Sequence, residues 1–175
     1  MAKILNGKIR VLVVDNDEDM CWLIASILKE EGLGVDIAHD VKSALSKITH
    51  HQYEVMVLDY KLSGMSGLTV LEKTHQIKPT IVTVMISAFG NESVKAKAKE
   101  FGAYTFLDKP FNIDTLKWMV KKALTEQKRR CANEANLHKL HSRSSPDGSL
   151  GFPGFCSGTD NGSPKDRHSV HIGAS

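Results

Sequence analysis

The sequence lacks most of the features that mark secreted, membrane-bound and nucleic-acid-binding proteins. Its three cysteines are too far apart to indicate a disulfide framework or a zinc site. No apolar run approaches the roughly 18 residues of a membrane-spanning helix, and the opening MAKILNGKIR has no secretory core. The net charge of +3 is too small to indicate nucleic acid as a partner. We therefore expect a cytoplasmic protein that contacts neither membrane nor nucleic acid through this chain.

The composition is that of a folded domain followed by a polar tail. Hydrophobic residues make up 41% of the chain and charged residues 25%, as in ordinary globular proteins. From Ser142 onward the sequence is rich in glycine, serine and proline and has no helical or strand period. We predict a folded domain over residues 1–125, a helical extension of its last helix over residues 126–141 and a disordered tail over residues 142–175.

Short apolar runs alternate with amphipathic stretches along the predicted domain. The runs are rich in valine and isoleucine, as expected of strands that are covered on both faces. The stretches between them have helical spacing, with Asp40, Asn91 and Asn112 placed to cap three of them. Such alternation predicts an α/β fold with a five-stranded parallel sheet and right-handed crossovers. The predicted strands are Ile9–Val14, Val35–Ala38, Val55–Leu58, Ile81–Ile86 and Tyr104–Leu107.

Acidic residues follow two of these strands at their carboxyl ends, where the ligands of such sheets bind. Asp15, Asn16 and Asp17 follow the first strand, and Asp59 follows the third. Two carboxylates at one sheet edge repel each other, and a hard cation such as Mg²⁺ would relieve that repulsion. A carboxylate beside Mg²⁺ can attack a phosphoryl group and form an acyl phosphate. The acids therefore indicate a candidate phosphoryl-acceptor site.

The fourth and fifth strands end in groups that suit the same chemistry. Ser87 follows the fourth strand and Lys109 follows the fifth. A hydroxyl and an ammonium can each bind one oxygen of a transferring phosphoryl group. Gly64 and Gly67 follow Asp59 and would free the backbone beside the nucleophile. All these groups are expected to meet at one edge of the sheet.

Four stretches carry these residues in order: VLVVDNDEDM, VMVLDYKLSGMSGL, VMISAFG and GAYTFLDKPF. Over about residues 8–125 the chain thereby resembles the receiver domain of bacterial two-component response regulators. The resemblance implies a flavodoxin-like, doubly wound (βα)5 fold with strand order 2-1-3-4-5. It implies that Asp59 is the phosphoacceptor and that Asp15, Asn16 and Asp59 are the Mg²⁺ ligands.

The resemblance also implies how the site would work in signalling. Lys109 would contact the phosphoryl group, and Ser87 would be the switch hydroxyl whose movement the Phe106 ring follows. The donor would be a histidine kinase or a histidine phosphotransfer protein, and the signal would pass to an output protein that the sequence does not identify. A homodimer that forms on phosphorylation is compatible with this scheme. The chain would not be an enzyme beyond self-phosphotransfer and self-dephosphorylation.

The chain departs from the family pattern at Asn16, where the family usually has a second acid. An amide oxygen can bind Mg²⁺ but brings no charge, so we expect weaker Mg²⁺ binding than is usual in the family, and slower phosphorylation. Asp17, one residue further on, is a candidate helper for the metal. It is equally placed to cap the first helix.

Two other functions are compatible with the sequence alone. Asp15-Asn16-Asp17 has the Asp-x-Asp pattern of haloacid-dehalogenase-type phosphatases, in which Asp15 would be the nucleophile. That assignment leaves Asp59 and its glycine loop without a role. The other alternative is a receiver-like module that binds partners without being phosphorylated, and Asn16 is its only motivation.

Overall fold

The structure is a computed structural model of the chain and describes residues 9–63, 65–88 and 91–141. The tail predicted over residues 142–175 lies outside the described residues, as does Gly64. Within the described ranges, five longer strands alternate with five helices, and two very short strands follow the third. The elements are β1 (Arg10–Val14), α1 (Glu18–Glu30), β2 (Gly34–Ala38), α2 (Val41–His50), β3 (Val55–Asp59), β4 (Lys61–Leu62), β5 (Met65–Ser66), α3 (Gly67–Ile77), β6 (Val82–Ser87), α4 (Glu92–Glu100), β7 (Thr105–Asp108) and α5 (Ile113–His141).

The five longer strands form one parallel sheet in the order β2-β1-β3-β6-β7. Counted among themselves these strands have the order 2-1-3-4-5, which confirms the predicted flavodoxin-like α/β fold. Because every pair is parallel, the five carboxyl ends lie at one edge of the sheet. The strand order reverses between β1 and β3, and the edge of such a sheet opens at that point.

Helices cover both faces of the sheet, which explains why its strands read as unbroken apolar runs. Val11 and Val13 of β1 face the cluster built with α1 and α5. Leu12 and Val14, which alternate with them, face the cluster built with α2, α3 and α4. All four side chains are fully buried. A strand with two buried faces has few positions left for a polar side chain except at its end.

Polar caps set where the helices begin. The caps predicted at Asp40 and Asn91 are confirmed, because each side chain accepts a hydrogen bond from a backbone N–H of the first turn. Asn112 makes the same bond at the start of α5, at 3.0 Å. Asp17 caps α1 through the amide of Met20 at 3.1 Å. Each cap ends a loop at the sheet edge and starts the chain back across the sheet.

The short strands β4 and β5 form a small antiparallel hairpin directly after β3. The sequence did not indicate this hairpin, because strands of two residues are too short to show an alternating pattern. Ser66, the last residue of β5, caps α3 through the amide of Leu68 at 3.2 Å. The hairpin thereby sets the point at which α3 begins.

Helix α5 runs without a break for 29 residues, through the extension predicted over residues 126–141. Its first turns pack Leu116, Val120 and Ala123 into the core. Further along, Arg130 donates a hydrogen bond to the carbonyl of Pro79 at 3.2 Å, between α3 and β6. Residues 131–135 are exposed. None of the helices in the described ranges is long and apolar enough to cross a membrane.

Leu116 provides a test of this packing. The side chain is fully buried between α5 and the sheet, so Leu116→Ala is expected to lower the free energy of unfolding by about 2–5 kcal/mol. Ile113→Ala on the same helix removes a side chain that is 48% exposed and should cost about 0.5 kcal/mol or less. Urea unfolding of the two variants measures the difference. Equal losses would contradict the burial of this face of α5.

Candidate functional site

Asp15 and Asp59 lie beside each other at the opening between β1 and β3. Val14 pairs with Leu58 in the parallel ladder, so the residues that follow come level at the sheet edge. Asp59 is the last residue of β3, and Asp15 comes directly after β1. Asp15 is only 4% exposed and Asp59 only 6%. Two buried carboxylates in one place are costly unless a cation lies between them.

The ammonium of Lys109 lies between these carboxylates. Its Nζ is 2.9 Å from Oδ2 of Asp15 and 2.7 Å from Oδ1 of Asp59. The backbone N–H of Lys109 donates to the carbonyl of Ser87 at 2.8 Å, and the peptide bond to Pro110 is cis. The lysine therefore reaches the site from the end of β7 while its backbone is held by the end of β6.

One ammonium offsets only one of the two carboxylate charges. Burial raises the pKa of Asp59, and the negative charge of Asp15 raises it further. The hydrogen bond from Lys109 offsets only part of this rise. Burial lowers the pKa of Lys109, but the hydrogen bonds and charges of Asp59 and Asp15 outweigh it, and the net shift is upward. The lysine stays charged, and the site keeps an excess negative charge that favours a further cation.

Backbone amides hold the other oxygen of each carboxylate. The amide of Asp17 donates to Oδ1 of Asp15 at 3.0 Å, and the amide of Lys61 donates to Oδ2 of Asp59 at 2.6 Å. Both carboxylates are thereby fixed in orientation by the loops that follow their strands. The Lys61 contact could not be predicted from the sequence, because every residue except proline has a backbone amide.

Two side chains that the sequence did not single out hold the carbonyl of Asp15. The Cys21 thiol donates to this carbonyl at 3.2 Å, and Nδ1 of His39 lies 3.2 Å from the same oxygen. Burial raises the pKa of Cys21 to about 11, so the group remains a thiol and a donor. A carbonyl can only accept, so the His39 ring must carry its proton on Nδ1 in this contact. These bonds fix the loop between β1 and α1.

Gly67 lies against the backbone of the candidate acceptor. A Cβ atom at this position would overlap the carbonyl oxygen of Asp59 and would be 3.1 Å from that of Tyr60. The amide of Gly67 donates to the Tyr60 carbonyl at 2.7 Å. The structure thus assigns Gly67 a steric role, close backbone approach, rather than the flexibility expected from the sequence.

Asn16 and Asp17 are exposed at the mouth of the site. The carboxylate of Asp17 accepts the capping bond from Met20, which favours the second of its two predicted roles. Asn16 directly follows Asp15 at the same opening. Its role as a ligand remains a prediction.

Ser87 and Phe106 lie on the two strands that carry Lys109 into the site. Ser87 ends β6, is 2% exposed and pairs with Asp108 in the ladder. Phe106 lies two residues before Asp108 on β7, and its half-buried ring packs against the cluster on the α2–α4 side of the sheet. The two switch residues predicted from the sequence are thus on adjacent strands near the site.

The donor groups at this edge fit a hard divalent cation. The carboxylates of Asp15 and Asp59 are close together, and Mg²⁺ prefers oxygen ligands and keeps several waters. Across the described ranges, no three His, Cys, Asp or Glu side chains gather into a metal cluster. A cation at this edge would therefore have two carboxylates and would depend on amide or carbonyl oxygens and water for its other ligands.

Comparison with known proteins is consistent with this geometry. Residues 11–121 match the response regulator receiver domain family. The nitrogen assimilation regulatory protein NtrX of Azorhizobium caulinodans is 36% identical over 116 residues, which are 65% of this chain and 26% of that protein. The transcriptional regulatory protein ZraR of Escherichia coli K12 is 27% identical over 119 residues, which are 68% and 27% of the two chains. The chain spans about a quarter of the length of these curated relatives.

Solved structures show the same likeness. The receiver domain of NtrX from Brucella abortus is 37% identical, with a TM-score of 0.63 over 66% of this chain and 98% of that one. A CheY-like receiver domain protein from Methanospirillum hungatei is 29% identical, with a TM-score of 0.68 over 70% of this chain and 98% of that one. The family match, the fold and the buried Asp–Lys–Asp group agree. The chain therefore belongs to the response regulator receiver domain family of two-component signalling systems.

Proposed function

We propose that this chain accepts a phosphoryl group on Asp59 from a histidine kinase or a histidine phosphotransfer protein. The observation that carries the proposal is the Lys109 ammonium held 2.9 Å from Asp15 and 2.7 Å from Asp59. A structural ion pair needs one carboxylate, whereas this ammonium serves two and leaves the site with excess negative charge. The group also lies at the strand-order reversal of the sheet, where such folds bind ligands.

The proposed step is a phosphoryl transfer. A carboxylate oxygen of Asp59 attacks phosphorus, and an oxygen–phosphorus bond forms while the phosphorus–nitrogen bond to the donor histidine breaks. The donor imidazole leaves with the electron pair of that bond and takes up a proton. Water later hydrolyses the acyl phosphate to regenerate Asp59 and release inorganic phosphate. The chain's own chemistry is limited to these two steps.

A bound Mg²⁺, the Lys109 ammonium and the Ser87 hydroxyl would stabilise the negative charge on the transferring oxygens. Asp15, Asn16 and Asp59 would hold Mg²⁺, which when bound offsets the negative charge of the phosphoryl group. Lys109 already contacts an oxygen of Asp59 at 2.7 Å and needs to move little to reach a phosphoryl oxygen beside it. The hydroxyl of Ser87, at the end of the neighbouring strand, would bind another.

The proposed signal leaves the site through β7. Movement of Ser87 toward the phosphoryl group would make room for the Phe106 ring, and the surface formed by α4, β7 and α5 would change with it. Helix α4 buries only Ala98, so little packing opposes its displacement. Two of the relatives are named as a nitrogen assimilation regulatory protein and a transcriptional regulatory protein. We therefore propose gene regulation as the output, exerted outside the receiver domain.

Phosphate uptake tests the acceptor directly. Incubation with acetyl phosphate and Mg²⁺ is expected to add one phosphoryl group to the intact protein, detected by mass spectrometry. Asp59→Asn should abolish the gain, because an amide is not a nucleophile toward phosphorus. Asp114→Asn, which neutralises an exposed acid on α5, should leave it unchanged.

Two outcomes would contradict this assignment. Phosphorylation that persists in Asp59→Asn, together with turnover of p-nitrophenyl phosphate, would identify Asp15 as the nucleophile and the chain as a phosphatase. No uptake by the unaltered chain at high Mg²⁺ would favour the binding module that works without phosphorylation.

Asn16 sets the expected strength of Mg²⁺ binding. Asn16→Asp adds a carboxylate at the mouth of a site with excess negative charge, so we expect about tenfold tighter binding by titration calorimetry. Asp17→Asn is the matched control, because its carboxylate caps α1 and its loss should change the affinity little. A large loss of affinity in Asp17→Asn would instead identify Asp17 as a metal ligand.

The raised pKa of Asp59 predicts a stability that depends on pH. The folded chain binds this proton more tightly than the unfolded chain, so ionised Asp59 destabilises the fold above its raised pKa. Asp59→Asn should therefore increase the free energy of unfolding at neutral pH by about 0.5–2 kcal/mol. The gain should fade as the pH falls through the raised pKa of Asp59, and it should be gone below the ordinary value of about 3.9.

Urea unfolding at neutral and acidic pH measures this gain. The same change at Asp114, which is exposed, should alter the free energy of unfolding by about 0.5 kcal/mol or less. A less stable Asp59→Asn at neutral pH would show that the bond to Lys109 outweighs the cost of burying the charge.

A further inference from the structure

Helix α4 has little apolar surface with which to hold its place against the sheet. Of its nine residues only Ala98 is buried. A cavity of about 170 Å³ lies between this helix and β7, lined in part by Ala98, Ala103 and Phe106. Lys95, one turn before Ala98, lines the same cavity and reaches from the helix to the strand.

Lys95 makes two contacts with β7. Its Nζ is 2.9 Å from Oδ2 of Asp108, and the same ammonium lies 5.7 Å from the centroid of the Phe106 ring. The second distance is within the range of a cation–π attraction. The hydrogen bond to Asp108 raises the pKa of Lys95, so the group is charged at neutral pH. The Lys95 side chain is 31% exposed, so water screens these contacts only in part.

The two contacts of Lys95 lie at the end of β7, next to the candidate site. Asp108 directly precedes Lys109, whose ammonium bridges the two buried acids. Asp108 also pairs with Ser87 in the ladder. Phe106, two residues earlier, is the aromatic whose position is proposed to follow Ser87. One ammonium on α4 therefore touches the strand on both sides of Leu107, next to the phosphate-contacting lysine.

We infer that Lys95 is a positioning residue that holds α4 and the Phe106 ring in the arrangement of the unphosphorylated chain and thereby slows phosphorylation of Asp59. The inference rests on the proposed function. If the ring moves toward Ser87 on phosphorylation, it must leave the ammonium of Lys95. A contact made in only one of two arrangements shifts the equilibrium toward that arrangement and lowers the population competent for the reaction.

Removal of this charge tests the inference. Lys95→Met keeps the apolar stem, and it is expected to raise the initial rate of phosphorylation by acetyl phosphate by about two- to fivefold. Lys97→Met is the matched control, because it makes the same change at an exposed position of the same helix and should leave the rate unchanged. Lys95→Arg keeps the charge and should restore a rate close to that of the unaltered chain.

Double variants decide whether Lys95 acts through the ring. In a Phe106→Leu background the gain from Lys95→Met should disappear, because the aromatic partner is absent. In an Asp108→Asn background the gain should shrink but remain, because the ring contact is intact. An undiminished gain in Phe106→Leu would overturn the inference, and so would an equal gain from Lys95→Met and Lys97→Met.

A measurement without phosphate separates this inference from the proposed function. The chain has six phenylalanines, so the ¹⁹F signal of Phe106 in 4-fluorophenylalanine-labelled protein can be assigned with Phe106→Leu. Lys95→Met should shift that signal and Lys97→Met should not, and an unmoved signal overturns the contact. If the chain takes up no phosphoryl group, the proposed function fails, but the ¹⁹F measurement still shows whether Lys95 contacts the Phe106 ring. If it is phosphorylated and the two lysine variants behave alike, only the present inference fails.

Discussion

The ammonium of Lys109 lies between two buried carboxylates that would otherwise repel each other, and the rest of the site is arranged around it. The parallel ladder brings the ends of β1 and β3 level, and the cis peptide bond follows the lysine at the end of β7. Backbone amides fix the carboxylate oxygens that the lysine does not contact. The remaining imbalance, two negative charges against one positive, is the physical basis of the proposed cation site.

The cost of this arrangement falls on stability. An apolar side chain at Asp59 would suit a position that is 6% exposed, and the raised pKa of its carboxyl reflects what ionisation costs there. Burial of apolar side chains on both faces of the sheet offsets this cost of ionisation. All of β1 beyond its first residue, for example, is buried. A site that is unfavourable when empty would gain the most from the proposed cation and phosphoryl group.

Packing is uneven around the site, and the unevenness matches the proposed direction of the signal. Strands β3 and β6 are buried along their whole length and leave Asp59, the proposed acceptor, little freedom. Helix α4 buries one residue and borders a cavity, so polar contacts such as that of Lys95 with Asp108 have more weight there than in the core. An element held by few apolar contacts needs only a small change in free energy to move.

The sequence by itself determined the order of the five longer strands and five helices, the sheet type and the strand ends that carry Asp15, Asp59, Ser87 and Lys109. Burial on two faces leaves strand ends as the place for polar groups. It also marked the caps at Asp40 and Asn91, since capping depends on near neighbours. Only the tertiary structure decided the contacts between distant residues: the lysine shared by two acids, His39 on the carbonyl of Asp15, the close approach of Gly67 and the reach of Lys95 to β7. Those contacts depend on strand register and side-chain direction, which leave no periodic pattern in a single sequence.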